Sequence, residues 1–374
     1  MAMGQQKARQ GDLMVSWSEM PRSPGHVFYD RLQSVLVEAD FDGFAEALCK
    51  PYYAARMGAP SVPPGRYFRM HLVGYFEGIG SERGLSWRCS DSLSLRDFLR
   101  LESRDRVPDH SWLSKTRSRL PHEVHQAIFD WVLAQIAEAG LVKGERIGVD
   151  ASTMEANAAL RNIVRRDTAE GYREMLERLA QESGIETPTA ADLVRLDRKR
   201  KGKKLSNQDW VSKSDPEAKI AKMKDGTTHL AYKPEHAVDL DTGAVVAAEL
   251  HPADEGDTTT LFKTLAAAEA NLEAVDAAPT AENPAACVAD KGYHSRAVLK
   301  ALDDSLWKTR IAEPKQKGFS RWHGDEAAQR AVTNNRVRLK SGVAREAFKR
   351  RAEIVERSFA HNLDRGGMRR TWLR

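Results

Sequence analysis

Five consecutive apolar residues, Ala285-Ala286-Cys287-Val288-Ala289, run straight into Asp290 and a Lys291-Gly292-Tyr293 turn. A run so short and so uniformly apolar is expected of a central strand covered on both faces. It calls for a sheet with helices on its two sides. A second strand is read at Arg146–Thr153, where Ile147, Val149 and Ala151 alternate with Gly148, Asp150 and Ser152. Two more follow around His229–Leu240 and Ala244–His251, joined by the turn Asp241-Thr242-Gly243. Pro234 argues that the first of this pair is irregular or lies on an edge at that point. Helices are expected at about Thr168–Ser183, at Thr258–Val275 with Leu261, Leu265, Ala268 and Leu272 inward, and at Ser295–Ser305. A short strand near Thr309–Ala312 and a basic helix from about Arg345 to Leu363 close the chain. This order describes a mixed α/β sheet with flanking helices.

Ahead of the sheet the chain reads differently. Residues 1–24 are polar and unpatterned, a loose leader. Residues 25–140 read as an all-helical N-terminal domain. Apolar residues recur at helical spacing between His26 and Cys49, and Gly58–Pro64 is a break. Helices are expected at Met70–Ile79, Ser92–Leu101, Trp112–Leu120 behind a Ser111 cap, and His122–Ala139. Lys115, Arg117 and Arg119 would lie on the exposed side of the capped helix. Two short helices before a capped basic one suit a helix-turn-helix, whose second helix can enter a DNA major groove. An ordinary helical bundle with a basic surface suits the same pattern. The remainder, 141–374, is read as one α/β domain with a polar, basic inserted loop at about 186–224.

Charge distribution says more than the total. The chain of 374 residues carries a net charge of +5. From Arg195 to Lys204 seven basic residues face the single acid Asp197, and from Arg345 to Arg374 nine basic residues face four acids. Each run alone could be a solvated surface. Two of them beside a candidate phosphate-chemistry site point to nucleic acid. Three widely spaced cysteines, Cys49, Cys89 and Cys287, fit neither a disulfide framework nor zinc spacing. No secretory h-region or membrane-length apolar run is present, so a cytoplasmic chain without membrane contact is expected.

Three acids stand out by position. Asp150 interrupts a strand of small and apolar residues, and Asp290 ends the apolar central strand, where ligand sites of open α/β sheets cluster. For the third, Glu353 and Glu356 compete. If Phe348, Ala352, Val355, Phe359 and Leu363 form the inward face of the last helix, Glu356 borders it, roughly 20° to 80° from all but Val355. Glu353 lies about 60° further toward solvent, placed to pair with Lys349. Glu356 is therefore preferred. Three carboxylates without His or Cys suit Mg²⁺ or Mn²⁺ rather than zinc, and two such ions would serve phosphoryl transfer. Lys291 and His294 are near enough to Asp290 to touch phosphate, or simply to build the turn.

These segments resemble the DDE transposases of bacterial insertion sequences. The resemblance is carried by Gly148-Val-Asp-Ala-Ser-Thr-Met-Glu-Ala-Asn-Ala158, by Val288-Ala-Asp-Lys-Gly-Tyr-His-Ser295, and by Glu353-Ile-Val-Glu-Arg-Ser-Phe-Ala-His361 followed by Gly366-Gly-Met-Arg-Arg370. Earlier segments, among them Pro64-Gly-Arg-Tyr-Phe-Arg69 and Pro108-Asp-His-Ser111, are similar to the family's helical N-terminal domain. The resemblance implies a ribonuclease-H-like catalytic core with Asp150, Asp290 and Glu356 as catalytic and metal-binding acids. It implies cleavage and joining of double-stranded DNA at terminal repeats and target sites, and at least a homodimer to pair two ends. Lys291, Arg369 and Arg370, with Lys115, Arg117 and Arg119, are the expected DNA-binding cations. Two departures are visible. Phe348 and Arg351 only approximate the Tyr and Arg that many relatives place before the glutamate, and Leu363 stands at a lysine position. Relatives also continue beyond the equivalent of Arg374, so a C-terminally truncated copy is expected. Two rival functions remain in view: a non-catalytic, DNA-binding repressor and a general ribonuclease-H-like nuclease.

Overall fold

A computed structural model of the chain describes residues 16, 26–54, 61–102, 104–200, 206–223, 226–315, 322 and 324–371. The leader, apart from Ser16, lies outside these residues, as do 201–205 of the first basic run and the last three residues. The chain divides into two compact units, one of residues up to 74 plus 81–125, the other of 75–80 and 126–374. The division falls inside a helix rather than near residue 140, where that helix ends.

The first unit is helical: α1 (Val27–Glu38), α2 (Phe41–Cys49), α3 (Pro64–Glu77, entering the second unit at its end), α4 (Glu82–Asp91), α5 (Leu93–Phe98), α6 (His110–Arg119) and the start of α7 (His122–Glu138). The periodic stretch 26–49 is two helices, because Asp40 takes the left-handed conformation (φ 46°), which a short polar side chain tolerates. Pro64 opens α3 instead of closing a break, since proline suits the first helical turn. Helix α4 is unforeseen; Ser81 caps it by accepting the Gly84 N–H. The cap of α6 is Asp109, which accepts the Trp112 N–H at 2.8 Å, whereas the expected cap Ser111 donates its hydroxyl to Asp109.

The second unit contains β1 (Arg146–Ala151), β2 (Met154–Glu155), β3 (Ile163–Arg165), α8 (Tyr172–Glu182), α9 (Ala190–Lys199), β4 (Trp210–Ser212), β5 (Lys219–Lys222), β6 (Thr228–Asp239), β7 (Val245–Pro252), α10 (Asp257–Glu273), β8 (Ala285–Ala289), α11 (Arg296–Asp303), β9 (Trp307–Ile311), α12 (Glu326–Leu339) and α13 (Gly342–Phe359). Strand β6 is the hub. One edge pairs antiparallel with β1 and then β2, the other with β7 and then β5. Beyond β1 lie β8 and β9, both parallel. The order β7-β6-β1-β8-β9, three antiparallel strands and then two parallel ones, is the ribonuclease-H-like mixed sheet. Pro234 pairs with Leu250 on β7, and its missing N–H falls opposite the interruption between β1 and β2. The irregularity is thus in the neighbouring edge, and β6 itself continues.

Helices α10, α11 and α12 bury Leu261, Leu265, Leu272, Val298, Leu299 and Val332 against one sheet face, with Ile147, Val149, Cys287 and Ile311. Helix α13 covers the other face, where Ala347, Val355 and Phe359 meet Val238, Leu240 and Val288. Every residue of β8 is buried, as its apolar run requires. The segment 186–224 is not a structureless loop. Thr189 and Asp192 form a capping box for α9, whose Leu193 joins Met175 and Leu176 of α8 and Trp210 of β4 in a separate small core. The dense charge of this segment conceals that narrow apolar stripe. No helix among the described residues is long and apolar enough to cross a membrane.

Candidate active site

Parity along the strands decides which acids share a face. Asp150 on β1 pairs with His236 on β6, and His236 stacks on Phe359 of α13 with ring centroids 4.1 Å apart. Asp150 therefore faces α13. The parallel register sets Gly148 beside Val288, so that Asp150 and Asp290, each two residues further on, both lie at the C-terminal ends of adjacent strands. Asp290 then caps a one-turn 3₁₀ helix (Lys291–Tyr293), accepting the Gly292 N–H at 2.7 Å.

Burial raises the Asp150 carboxyl above the ordinary aspartate range, Arg351 opposes the rise, and the charge of Asp290 adds to it. Arg351 Nη1 on α13 lies 2.8 Å from Asp150 Oδ2, with side-chain exposures of 13% and 24%. This contact was not foreseen. The seam of α13 runs through Ala344, Ala347, Arg351, Val355, Ser358 and Phe359, and Ala352 is exposed. The expected inward face is thus corrected: the helix is rolled so that Arg351 and Ser358 point at the sheet.

Glu356 consequently lies on an exposed flank, without an ion pair or side-chain hydrogen bond among the described residues. Glu353 is also exposed, and its partner is Arg357 at 2.6 Å rather than Lys349. Among the described residues no three His, Cys, Asp or Glu side chains are grouped to hold a metal ion. The donors nevertheless suit a hard cation in kind: two half-buried carboxylates at the ends of adjacent strands, Asp150 balanced by a single guanidinium.

The expected DNA-binding cations are divided. Lys115 and Arg119 of α6 are exposed, Arg119 with its guanidinium 4.7 Å above the Tyr53 ring. Arg117 instead turns inward and pairs with Glu82 of α4. Lys291 is exposed beside Asp290, and His294 is half-buried, its pKa lowered mainly by burial. Arg369 pairs with Asp364, and Arg370 lies 3.9 Å from Glu155. Leu363, at the family's lysine position, is buried in the core under α13.

A second polar cluster escaped sequence reasoning altogether. Glu235 is fully buried on the α10 face of β6, with Lys233, His251, Thr260, Thr264 and Tyr293 around it. Burial and the adjacent Glu235 carboxylate push the Tyr293 hydroxyl far above its ordinary pKa, so it stays a proton donor. The signal was available: Lys233 and Glu235 share strand parity with Ala231 and Ala237, all four being buried.

Two family profiles match the chain in order. A Transposase domain (DUF772) covers residues 18–119, and a Transposase DDE domain covers residues 198–372. The second contains Asp290 and Glu356, whereas Asp150 lies between the two matches. No curated protein and no solved structure matches the chain. A helical transposase domain followed by a DDE domain on a ribonuclease-H-like sheet places this chain among the DDE transposases of insertion sequences.

Proposed function

We propose that the protein binds the ends of its insertion sequence and catalyses metal-dependent DNA cleavage and strand transfer by in-line phosphoryl transfer. The observation that supports this reading is the parallel pairing of β1 and β8, which leads Asp150 and Asp290 to the C-terminal ends of adjacent strands, Asp150 facing α13. Their carboxylates would hold Mg²⁺ or Mn²⁺, with Glu356 as the third acid. Glu356 is preferred because its side chain has no ion-pair partner among the described residues, while Arg357 engages Glu353. Divalent ions held there, two on this reading, would activate the attacking oxygen and stabilise the leaving one. Lys115, Arg119 and Lys291 are exposed and suited to DNA phosphates. Pairing two ends would require at least a dimer.

The test is a strand-transfer assay on duplex DNA carrying the element's own ends, with Mg²⁺ or Mn²⁺. Joined product from the unmodified chain, lost in Asp150→Asn, Asp290→Asn and Glu356→Gln, is the expected result. One observation favours a second reading, a non-catalytic DNA-binding relative: Arg351 occupies Asp150 while Glu356 lies apart. End binding without nicking or joining, unchanged by Asp150→Asn, would select that reading. Cleavage indifferent to end sequence, without joined product, would mark a general nuclease.

A further inference from the structure

The loop that presents Asp290 rests on the buried cluster behind the sheet. Tyr293, three residues after Asp290, donates its hydroxyl to Glu235 Oε1 at 2.7 Å. The same carboxylate accepts the Thr260 hydroxyl at 2.9 Å and the Thr264 hydroxyl. Each threonine is oriented from behind: Lys233 Nζ lies 2.9 Å from Thr260 Oγ1, and His251 Nε2 lies 3.0 Å from Thr264 Oγ1. Lys233 also pairs with Asp257 at 2.6 Å. Asp257 presses on the loop in turn, since a Cβ on Gly292 would lie 2.4 Å from Asp257 Oδ2 and 3.0 Å from Asp290 Oδ1. A methyl group there would require the Asp257 side chain to shift.

A carboxylate with no solvent exposure is costly unless its lone pairs are occupied. Here three hydroxyl donors occupy them, from two turns of α10 and from the loop itself. The first two belong to a rigid helix. The third ties the turn after β8 to β6, so the Asp290 backbone is gripped within three residues of its carboxylate. Hydrogen bonds of this kind behind a metal-binding group commonly set its orientation and its affinity.

We propose that Glu235, acting through Tyr293, is a positioning residue that fixes the Asp290 carboxylate at the end of β8 to receive a divalent cation. This rests on the reading of Asp290 as a cation ligand. The test is a Mn²⁺ titration of the full chain, followed by electron paramagnetic resonance of the free ion, on the wild type and four variants. Tyr293→Phe removes one hydroxyl and keeps the ring. Glu235→Gln keeps the shape and removes the charge. Asp290→Asn tests the ligand itself, and Leu193→Ala destabilises the remote α8–α9 core.

The expected result is loss of Mn²⁺ binding in Asp290→Asn, about tenfold weaker binding in Tyr293→Phe and Glu235→Gln, and unchanged binding in Leu193→Ala. Wild-type affinity in a folded Tyr293→Phe, with binding lost in Asp290→Asn, would overturn the positioning role and leave Asp290 as ligand. Equal weakening in Leu193→Ala would overturn it too, because general loosening would then explain the effect. Wild-type affinity in Asp290→Asn would overturn the ligand reading and the inference together.

Discussion

Gly148 sets how closely α13 approaches β1, and replacing it with alanine should lift the helix away from the acids. A Cβ at this position would lie 2.6 Å from Leu240 Cδ2 and 2.9 Å from Val355 Cγ2, closer than carbon atoms pack. Leu240 and Val355 are both fully buried, so neither can move aside freely. Overpacking of this kind costs about 1–3 kcal/mol. For a unit of this size that lowers the melting temperature by roughly 2–10 °C. A double-mutant cycle isolates the cause. Leu240→Ala alone should cost about 2–5 kcal/mol through the cavity it leaves. In Gly148→Ala/Leu240→Ala the new methyl enters that cavity, so the double variant should be more stable than the sum of the singles by ~1 kcal/mol or more. Urea denaturation of the four proteins measures the coupling. Strict additivity, or a Gly148→Ala variant as stable as the wild type, would refute the close-approach argument.

His236 should give the second unit a pH dependence. Burial holds its pKa at about 4, while its ordinary value is 6.5; the folded form therefore favours the neutral ring. Its stability contribution is present above pH 6.5 and is lost as pH falls toward 4, by ~3 kcal/mol in all. Urea midpoints measured across that window should fall for the wild type, with a flatter profile in His236→Phe; identical slopes would exclude the assignment. Within the helical unit, Lys115→Ala with Arg119→Ala should reduce the salt dependence of DNA binding by about 2 in log–log slope. Arg117→Ala should instead lower the melting temperature by freeing Glu82, with little change in that slope. Fluorescence anisotropy on a duplex at several salt concentrations, beside thermal denaturation, separates the two effects.

Strand positions were legible because sheet chemistry is periodic and local. The apolar run at 285–289 identified a fully buried strand, and alternation at 146–151 located the other; their acids fell on one face by parity alone. Helix α10 was equally readable, since Leu261, Leu265, Ala268 and Leu272 all meet an apolar sheet surface. Helix α9 was concealed because one buried leucine, Leu193, sits among charges that satisfy one another, as Arg200 and Tyr172 do with Asp197. The cluster around Glu235 is hidden in the sequence for a related reason. A lysine and a glutamate in a strand suggest a solvent-facing edge, and only their parity with Ala231 and Ala237 betrays burial.

The roll of α13 differs from the expected one for another reason. Apolar periodicity locates the inner face of a helix only where the surface it covers is apolar. Over Val238, Leu240 and Val288 that condition holds, and Ala347, Val355 and Phe359 are buried there. Near the C-terminal end of β1 the sheet instead presents Asp150 and, paired with it, His236. Helix α13 answers with Arg351 to the aspartate and Ser358 to the histidine. The Ser358 hydroxyl donates to the Val355 carbonyl at 2.8 Å, which leaves its oxygen to accept from His236 Nδ1. Both residues look like surface positions in a one-dimensional pattern. Counting them as inward turns the helix so that Glu356 lies about 140° around the axis from Arg351 and roughly 7.5 Å along it. The sheet pairing therefore governs where Asp150 and Asp290 lie, whereas the place of Glu356 depends on a helical roll governed by polar contacts that Asp150 and His236 create.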